Sequence, residues 1–288
     1  MPVQLTQPEV DDLPRVIEAL RQWQYEGAPM QLHPGDVGWF WRFGATEVSR
    51  AVRTWSDGKQ ILAAGLLDGP GLVRLTVAPH ARRDKKLARQ VVDDLTRPER
   101  GVLSAGRANV EAPSDAMVHE LLAEEGWETD EPWTPLRRDL TAPVPDSGVR
   151  IEEVGHENAQ TRVDVQRASF DASSFTAARW NAMSMAPTYV DASCLLAFDD
   201  RGNAVAAVTV WSAGVGKPGL IEPMGVHRRY RGQRYGRAIT LAAAAKLRQL
   251  GSSSAIVCTP SANIGAVAAY RSAGMEARTE IHDRYRNR

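Results

Sequence analysis

The sequence predicts a mixed α/β fold, an α+β sheet protein built from two tandem copies of one unit. Strand-like and helix-like segments alternate along the chain, which is typical of α/β and α+β sheet proteins. The segment 70–77 resembles 218–226, and the segment 115–127 resembles 263–275. Both pairs are 148 residues apart, which indicates an internal repeat.

The elements of the second copy follow from their residue patterns. Alternating apolar residues predict strands, and apolar residues three or four positions apart predict helices. Prolines and a glycine near 141–148 predict a linker, so we place the domains at 1–140 and 148–288. The predicted strands are 149–154, 193–199, 204–211, 220–226, 254–260 and 275–282, and the predicted helices are 157–171, 175–186, 236–250 and 263–272.

Composition narrows the class of protein. The 288 residues include 35 Lys+Arg and 35 Asp+Glu, so the formal net charge is zero, which disfavours a nucleic-acid partner. No apolar run approaches the roughly 20 residues of a membrane span, and the N-terminus does not resemble a signal peptide. We therefore expect a cytoplasmic protein without a membrane partner. Cys194 and Cys258 are expected to be small buried side chains.

The stretch 226–238 lies between a predicted strand and a predicted helix. A loop that leads into a helix N-terminus offers backbone N–H groups and the positive end of the helix dipole to an anion. Arginines at three positions would add cationic donors, and two glycines would allow a close backbone approach. From this segment alone, a solvated basic loop explains the pattern equally well.

Together with the segment that follows, this loop resembles the GNAT superfamily of acyl-CoA-dependent N-acetyltransferases. The family's phosphate loop, Arg-Gly-x-Gly-x-Gly or Ala, matches 231–236, although Arg234 stands at the usual central glycine. A second family motif matches Asn263, Ala266, Tyr270, Gly274 and Met275. The resemblance covers about 149–288, and the two-copy layout resembles that of mycothiol synthase and several antibiotic N-acetyltransferases.

The resemblance implies a V-shaped opening between two parallel central strands that receives acetyl-CoA as a cosubstrate, with no metal. Backbone groups of Met224, Gly225 and Val226 would pair with the pantetheine arm. Asn263 and Ala266 would face the cofactor. The pyrophosphate would be held by the amides of Arg231, Gly232, Gln233, Arg234, Tyr235, Gly236 and Arg237.

Two residues are candidates for catalysis. The resemblance places Tyr270 near the thioester sulfur, where its hydroxyl would protonate the departing thiolate as a general acid. Glu222 lies in the strand before the loop and would take a proton from the acceptor amine, directly or through water. His227 is an alternative base. A packing tyrosine and an ion-paired glutamate are the structural alternatives.

The strand before the loop carries one residue more in the second copy than in the first. One extra residue is what a β-bulge requires, so we expect a bulge near 223–225. GNAT proteins have a bulge in this strand.

The first copy lacks the residues that would make it a catalyst. Glu222 corresponds to Arg74 and Tyr270 to Leu122, and 78–90 contains no glycine. We therefore expect a degenerate, non-catalytic first domain whose aromatic residues either form its core or line the acceptor cleft. Candidates for the cleft are Trp23, Tyr25, Trp39, Phe40 and Trp41 in the first copy, and Phe170, Asp171, Phe175, Trp180 and Tyr189 in the second.

These observations predict an N-acetyltransferase that moves an acetyl group from acetyl-CoA to a primary amine of a small molecule. The expected mechanism is direct attack in a ternary complex, by a monomer or homodimer. A non-catalytic acyl-CoA sensor or scaffold is the alternative.

Overall fold

The computed structural model describes residues 3–287, and within that range thirteen strands form one continuous sheet. Within residues 3–287, the first half of the chain forms six strands and five α-helices. The strands are β1 (Gln4–Thr6), β2 (Val52–Ser56), β3 (Ile61–Leu67), β4 (Leu72–Val77), β5 (Ala108–Glu111) and β6 (Glu128–Asp139). The helices are α1 (Leu13–Gln22), α2 (Pro34–Phe40), α3 (Ala45–Ala51), α4 (Lys85–Thr96) and α5 (Met117–Glu124).

The second half has a similar order, with two α-helices instead of three between its first two strands and with its last strand divided. Its strands are β7 (Arg150–Glu153), β8 (Ala192–Phe198), β9 (Ala204–Ser212), β10 (Pro218–Val226), β11 (Ser254–Pro260), β12 (Glu276–Ala277) and β13 (Ile281–Arg286). Its helices are α6 (Ala159–Ser169), α7 (Ala177–Ser184), α8 (Tyr235–Gln249) and α9 (Ile264–Ser272). Short 3-10 helices occur at Val10–Asp12, Trp41–Phe43, Pro79–Ala81, Pro98–Arg100, Pro187–Asp191 and Arg228–Tyr230. The mixed α/β fold predicted from the sequence is confirmed.

Helices cover both faces of the second half of the sheet. Side chains of a strand alternate between its faces, and on β8 Leu195 packs in the same buried cluster as Ile239 of α8. Its neighbour Leu196 packs in a separate cluster with Val163 of α6 and Trp180 of α7. The strands are therefore apolar on both sides, which explains the nearly continuous apolar runs of β8 and β9.

The two halves exchange their last strands. The order across the sheet is β1-β2-β3-β4-β5-β13-β6-β11-β10-β9-β8-β7. Strand β6 of the first half pairs with β11 from Ser254↔Asp139 to Pro260↔Trp133, and β13 of the second half pairs with β5 and β6. Each half of the sheet is thus completed by a strand from the other half. The boundaries at 1–140 and 148–288 stay a prediction.

Most predicted elements of the second half coincide with the observed ones within two residues. The exception is the last strand, expected over 275–282. It is divided into β12 and β13, with residues 278–280 between them. Both parts pair with the edge of β6 opposite to β11, β12 at Arg137 and Leu136 and β13 from Trp133 onward, and β13 also pairs with β5. None of the helices within residues 3–287 is both long and apolar enough to cross a bilayer.

Candidate active site

A cavity of 1180 Å³ lies at the centre of the sheet, where the two halves meet. Its walls include residues 220–226 of β10 and 257–260 of β11. Helices α8 and α9 contribute further residues, and the first half contributes side chains from α2, β4 and β5. The cavity is therefore shared between the halves.

The cavity exists because β10 and β11 separate. The two parallel strands pair at three positions, from Pro218↔Ser254 to Leu220↔Ile256, and no further. From Ile221 and Val257 onward both strands line the cavity instead. Beyond these positions the facing backbone groups of the two strands do not pair with each other. A backbone N–H or C=O away from water needs a hydrogen bond, so these groups are available to a ligand. The V-shaped opening expected from the resemblance is present.

A β-bulge interrupts the pairing of β10 with β9. Ile221 pairs with Val210 and Met224 with Val208, so Glu222 and Pro223 together oppose one residue of β9. The corresponding pairing of β3 with β4 in the first half is continuous. The predicted bulge is confirmed, one residue earlier than expected.

A buried tryptophan stabilises this bulge. The indole Nε1 of Trp211 donates a 2.7 Å hydrogen bond to the backbone oxygen of Glu222. A bulge leaves backbone groups outside the sheet ladder, and this bond satisfies one of them. Glu222 is thereby held with its side chain toward the cavity.

Helix α8 begins at the cavity, and no side chain caps it. Its first residue follows Arg234, which has a φ of 65° and makes no side-chain hydrogen bond to the helix. The first N–H groups of the helix therefore remain available to an anion. Gly232, two residues earlier, has a φ of 79°, which a glycine adopts without strain.

The three arginines of the loop differ in their partners. Arg231 donates to the backbone oxygen of Ser169 at 2.8 Å, and Arg237 to that of Ser272 at 3.0 Å. The Arg234 side chain has no hydrogen bond or ion pair among residues 3–287, and it lines the cavity. Arg234 is thus the loop arginine with its guanidinium fully available.

Two glycines of the site allow close packing. A Cβ at Gly236 would lie 3.0 Å from Cβ of Ala269, so this glycine brings α8 against α9. A Cβ at Gly225 would lie 2.5 Å from Cβ of Ser169, so this glycine brings the end of α6 onto β10. The sequence prediction gave Gly236 a role in backbone approach to phosphate, and the structure adds helix packing as a second reason for it.

Tyr270 of α9 lies almost wholly inside the protein and lines the cavity. Its side chain is 5% exposed, and its hydroxyl has no hydrogen-bond partner among residues 3–287. Burial, with smaller effects from Glu222 and Cys258, raises the pKa of Tyr270 above its ordinary value. The hydroxyl therefore keeps its proton at neutral pH.

Glu222 reaches an arginine of the first half. Its Oε1 lies 3.8 Å from Nη1 of Arg74, the residue that corresponds to Glu222 in the repeat. His227, the alternative base, instead accepts a hydrogen bond through Nδ1 from the backbone N–H of Arg229. His227 does not line the cavity, whereas Glu222 does.

Almost all of the residues predicted for the site surround this cavity. Gln233 does not line it, and Asn263 uses its Oδ1 to cap α9 through the N–H of Ala266. The roles assigned to these residues stay predictions. Those that line the cavity are Glu222, Met224, Gly225, Val226, Arg231, Gly232, Arg234, Tyr235, Gly236, Arg237, Asn263, Ala266 and Tyr270.

The equivalent position in the first half is already filled. Asp84 caps α4 by accepting hydrogen bonds from the N–H groups of Lys86 and Leu87, at 2.8 and 3.1 Å. Arg82, 4% exposed, donates to Gln31 Oε1 at 2.5 Å and to Asp115 at 3.1 Å. A carboxylate thus caps the N-terminus of α4, whereas no side chain caps that of α8.

The aromatic residues expected to form the acceptor cleft are mostly elsewhere. Among the ten candidates only Phe170 lines the cavity. Trp39 and Phe175 stack on each other, with ring centroids 5.2 Å apart, and thereby join the two halves. Asp171 is 95% exposed and forms an ion pair with Arg228. Cleft residues proposed from aromatic content alone are thus largely packing residues.

The charged residues that the first half does contribute were missed by the sequence analysis. Asp36 and Arg74 line the cavity, together with Glu111 and, from β13, Asp283. An arginine in the apolar strand β4 was the available signal, because a charge in such a strand needs a partner. Cys258 also lines the cavity, and burial raises the pKa of its thiol to about 12, whereas Cys194 is buried as expected.

Comparisons with known proteins agree with this geometry. Residues 159–275 match the family model described as the acetyltransferase (GNAT) family. No curated protein sequence matches the chain significantly.

Solved structures resemble the whole chain. A GCN5-related N-acetyltransferase from Sphaerobacter thermophilus is 17% identical, with 99% of this chain and 95% of that chain covered and a TM-score of 0.60. A tandem GNAT protein from the clavulanic acid biosynthesis pathway is 16% identical, with coverages of 99% and 98% and a TM-score of 0.60. N-myristoyltransferase of Saccharomyces cerevisiae, solved with bound myristoyl-CoA, is 9% identical, with coverages of 100% and 79% and a TM-score of 0.61. At these identities the likeness shows a shared fold.

Proposed function

We propose that the protein transfers an acetyl group from acetyl-CoA to a primary amine of a small molecule. The premise is that residues 159–275 match the family model of GNAT acetyltransferases. An acyltransferase follows from the family and the fold. The acetyl donor, the amine acceptor and direct attack in a ternary complex are the proposal's own content.

One observation carries the proposal. The separated strands β10 and β11, the uncapped N-terminus of α8 and the hydroxyl of Tyr270 all open onto the same cavity. An extended ligand with an anionic end and a reactive end would meet complementary groups along it. The helix N-terminus and Arg234 suit a phosphate group, and free strand edges suit an amide-containing arm.

The residues present fit acetyl-CoA. Backbone groups of Met224, Gly225 and Val226 would hold its pantetheine arm, and the amides of 231–237 would hold its pyrophosphate. Acetyl-CoA supplies the acetyl group activated as a thioester. In the first half, Asp84 and Arg82 occupy the corresponding space, so we expect one molecule per chain.

Glu222 and Tyr270 would carry out the proton transfers of the reaction. An amine attacks only when it is neutral, and Glu222 would accept the proton that an ammonium group must lose. Tyr270 would give a proton to the departing sulfur, because its hydroxyl is protonated at neutral pH and its side chain lines the cavity. Trp211 fixes Glu222 by holding its backbone oxygen.

Calorimetric titration with acetyl-CoA, followed by measurement of thiol release with a panel of small amines, tests the proposal. We expect one binding site per chain and amine-dependent release of CoA. Two sites would contradict the non-catalytic first half. Binding without release for any amine would support the acyl-CoA sensor instead.

A further inference from the structure

One end of the cavity is lined by carboxylates from four different elements. Asp36 comes from α2, Glu111 from the end of β5, Glu222 from the bulge of β10 and Asp283 from the exchanged strand β13. We call these four residues the acidic wall. The arginines of the phosphate loop lie at the N-terminus of α8, so the cavity carries opposite charges at different places.

Arg74 is the cation that faces the acidic wall. Its guanidinium nitrogens lie 3.5 Å from Asp36, 3.5 Å from Glu111 and 3.8 Å from Glu222, and 3.6 Å from Asp68 outside the cavity. Strong bonds between a guanidinium and a carboxylate are about 2.7–2.9 Å long. One cation shared at longer distances leaves carboxylate oxygens free to accept further hydrogen bonds.

The environment of Asp36 shows that the wall lacks positive charge. Burial, reinforced by the negative charges of Glu222 and Asp68, raises its pKa to about 7, despite Arg74 and a hydrogen bond from the backbone N–H of His33. A carboxyl group with this pKa holds a proton for part of the time at neutral pH. A bound cation would displace that proton.

Glu111 and Asp283 are in the same situation. Burial raises the pKa of Glu111 to about 8, with Asp283, Asp36 and Glu222 adding to the rise and Arg74 opposing it. For Asp283, burial raises the pKa to about 6.

Some of the charged groups that face Asp283 raise its pKa and others lower it. Asp130 contributes to the rise of its pKa, whereas Arg74 and His282 oppose it. The wall therefore contains several titratable carboxyl groups and too few cations to neutralise them.

An independent observation points to a ligand in the same cavity. Tyr270 is 95% buried, its hydroxyl lines the cavity, and no residue within 3–287 accepts or donates a hydrogen bond to it. The hydroxyl itself is accessible from the cavity and is not sealed in the packing. A ligand in the cavity could therefore bond to this hydroxyl as well as to the acidic wall.

On the basis of the acetyl transfer proposed above, we propose that the acidic wall is the acceptor subsite and selects a small amine that carries a second cationic group. The reacting amine must lose its proton, so it cannot neutralise the wall during the reaction. A second ammonium or guanidinium group keeps its charge and can pair with Asp36, Glu111 and Asp283. Because Asp36 and Glu111 come from the first half, that copy would contribute to the catalytic half part of its selectivity for the acceptor, beside Asp283 of β13.

The test compares 1,5-diaminopentane with 1-aminopentane, which differ by one ammonium group. We expect kcat/KM for the diamine to exceed that for the monoamine by at least about 100-fold. The reason is that only the diamine has a second ammonium group that can pair with the acidic wall. Glu111→Gln and Asp283→Asn should each reduce this ratio by about tenfold or more. Glu124→Gln, on the exposed end of α5, is the matched control and should leave the ratio unchanged.

A second measurement separates the subsite from the transfer reaction. Calorimetry of diamine binding in buffers of different ionisation enthalpy should show release of about one proton near pH 7 and less at pH 9, because the wall is then already ionised. Equal kcat/KM for both amines would overturn the subsite and leave the acetyl transfer standing. Diamine binding with proton release but no acetylation would support the subsite and overturn the transfer. Failure of the diamine to bind more tightly than the monoamine would overturn the subsite whether or not acetyl is transferred.

Discussion

Tyr270 combines burial, a raised pKa and a hydroxyl without a hydrogen-bond partner among residues 3–287. A tyrosine that only packs would have its hydroxyl at the surface or bonded to a neighbour. Here the hydroxyl lines the cavity that also contains Glu222 and the start of α8. The position and the free hydroxyl suit the proposed proton donor to a developing thiolate, although the raised pKa makes the hydroxyl a weaker acid.

We expect Tyr270→Phe to lower kcat by about 100-fold, as loss of a general acid ordinarily does. The affinity for acetyl-CoA, measured by calorimetry, should change less than about threefold, because the ring and its packing remain. Tyr285→Phe is the matched control, since its hydroxyl bonds Glu128 at the surface. An unchanged kcat for Tyr270→Phe would remove this residue from the mechanism.

Arg234 occupies a backbone conformation that costs a non-glycine residue about 1 kcal/mol or more. Its φ is 65°, and this is the position where the GNAT motif usually has glycine. The guanidinium of this strained residue lies beside an uncapped helix, where it could pair with an anion. The structure gives it no other partner among residues 3–287.

Charge reversal distinguishes direct binding of acetyl-CoA by Arg234 from a general effect of the positive charge of the loop. Arg234→Glu should weaken acetyl-CoA binding by at least about tenfold, or about 1.4 kcal/mol. Arg229→Glu makes the same change of charge at an exposed residue that does not line the cavity. It should change the affinity for acetyl-CoA less than about twofold. Similar losses for both variants, measured at the same ionic strength, would mean that only the overall charge of the loop matters.

Helix α2 can lie close to the site because two of its residues, Gly35 and Gly38, have no side chain. A Cβ at Gly35 would lie 2.5 Å from Cβ of Trp211, and one at Gly38 would overlap the indole ring and Thr188. The two glycines therefore allow a helix of the first half to rest on a tryptophan of the second half. The same contact positions Asp36 in the acidic wall, and Trp211 holds the bulge at Glu222.

We expect Gly38→Ala to lower the free energy of unfolding by about 2 kcal/mol, the usual cost of overpacking. Trp211→Phe should also destabilise the protein, since it removes ring atoms and the hydrogen bond to Glu222. Because the smaller ring makes room for the new methyl group, the double variant should be less destabilised than the sum of the two single variants. Additive losses in denaturant unfolding would show that Gly38 and Trp211 do not determine each other's packing.

Local features of the site could be predicted from the sequence, and the shared features could not. The phosphate loop, the bulge and the Tyr270 motif each occupy a short stretch whose residue types reflect their own backbone geometry. Asp36, Glu111 and Asp283 come from three elements with no common motif, so nothing in the sequence brings them together. Only Arg74, a charge within an apolar strand, hinted at carboxylate partners in the first half.

The strand exchange could not be predicted for a different reason. The two copies have a similar order of elements, so β5 and β11 present nearly equivalent edges to β6 and β13. Local sequence patterns predict that a strand forms and which face is apolar, but not which of two similar edges it joins. The linker at 141–148 is compatible with both arrangements.

The exchange makes the whole chain one structural unit. Without the second half, β5 would lose β13 as a partner, and without the first half, β11 would lose seven paired residues of β6. Exposed strand edges of this kind favour association with another chain. The carboxylates of Asp36 and Glu111 would also be separated from Glu222.

We therefore expect fragments 1–140 and 148–288, produced separately, to unfold at lower denaturant concentration than the intact chain or to associate with themselves. Mixed in equal amounts, they should form a 1:1 complex that restores binding of one acetyl-CoA, because each supplies the strand that the other lacks. Analytical ultracentrifugation measures the association, and calorimetry measures the binding. As a control, the intact chain should unfold in a single transition under the same conditions. A monomeric 148–288 fragment that is as stable as the intact chain and binds acetyl-CoA equally well would show that β13 can return to its own half, and that the exchange is not needed for the cofactor site.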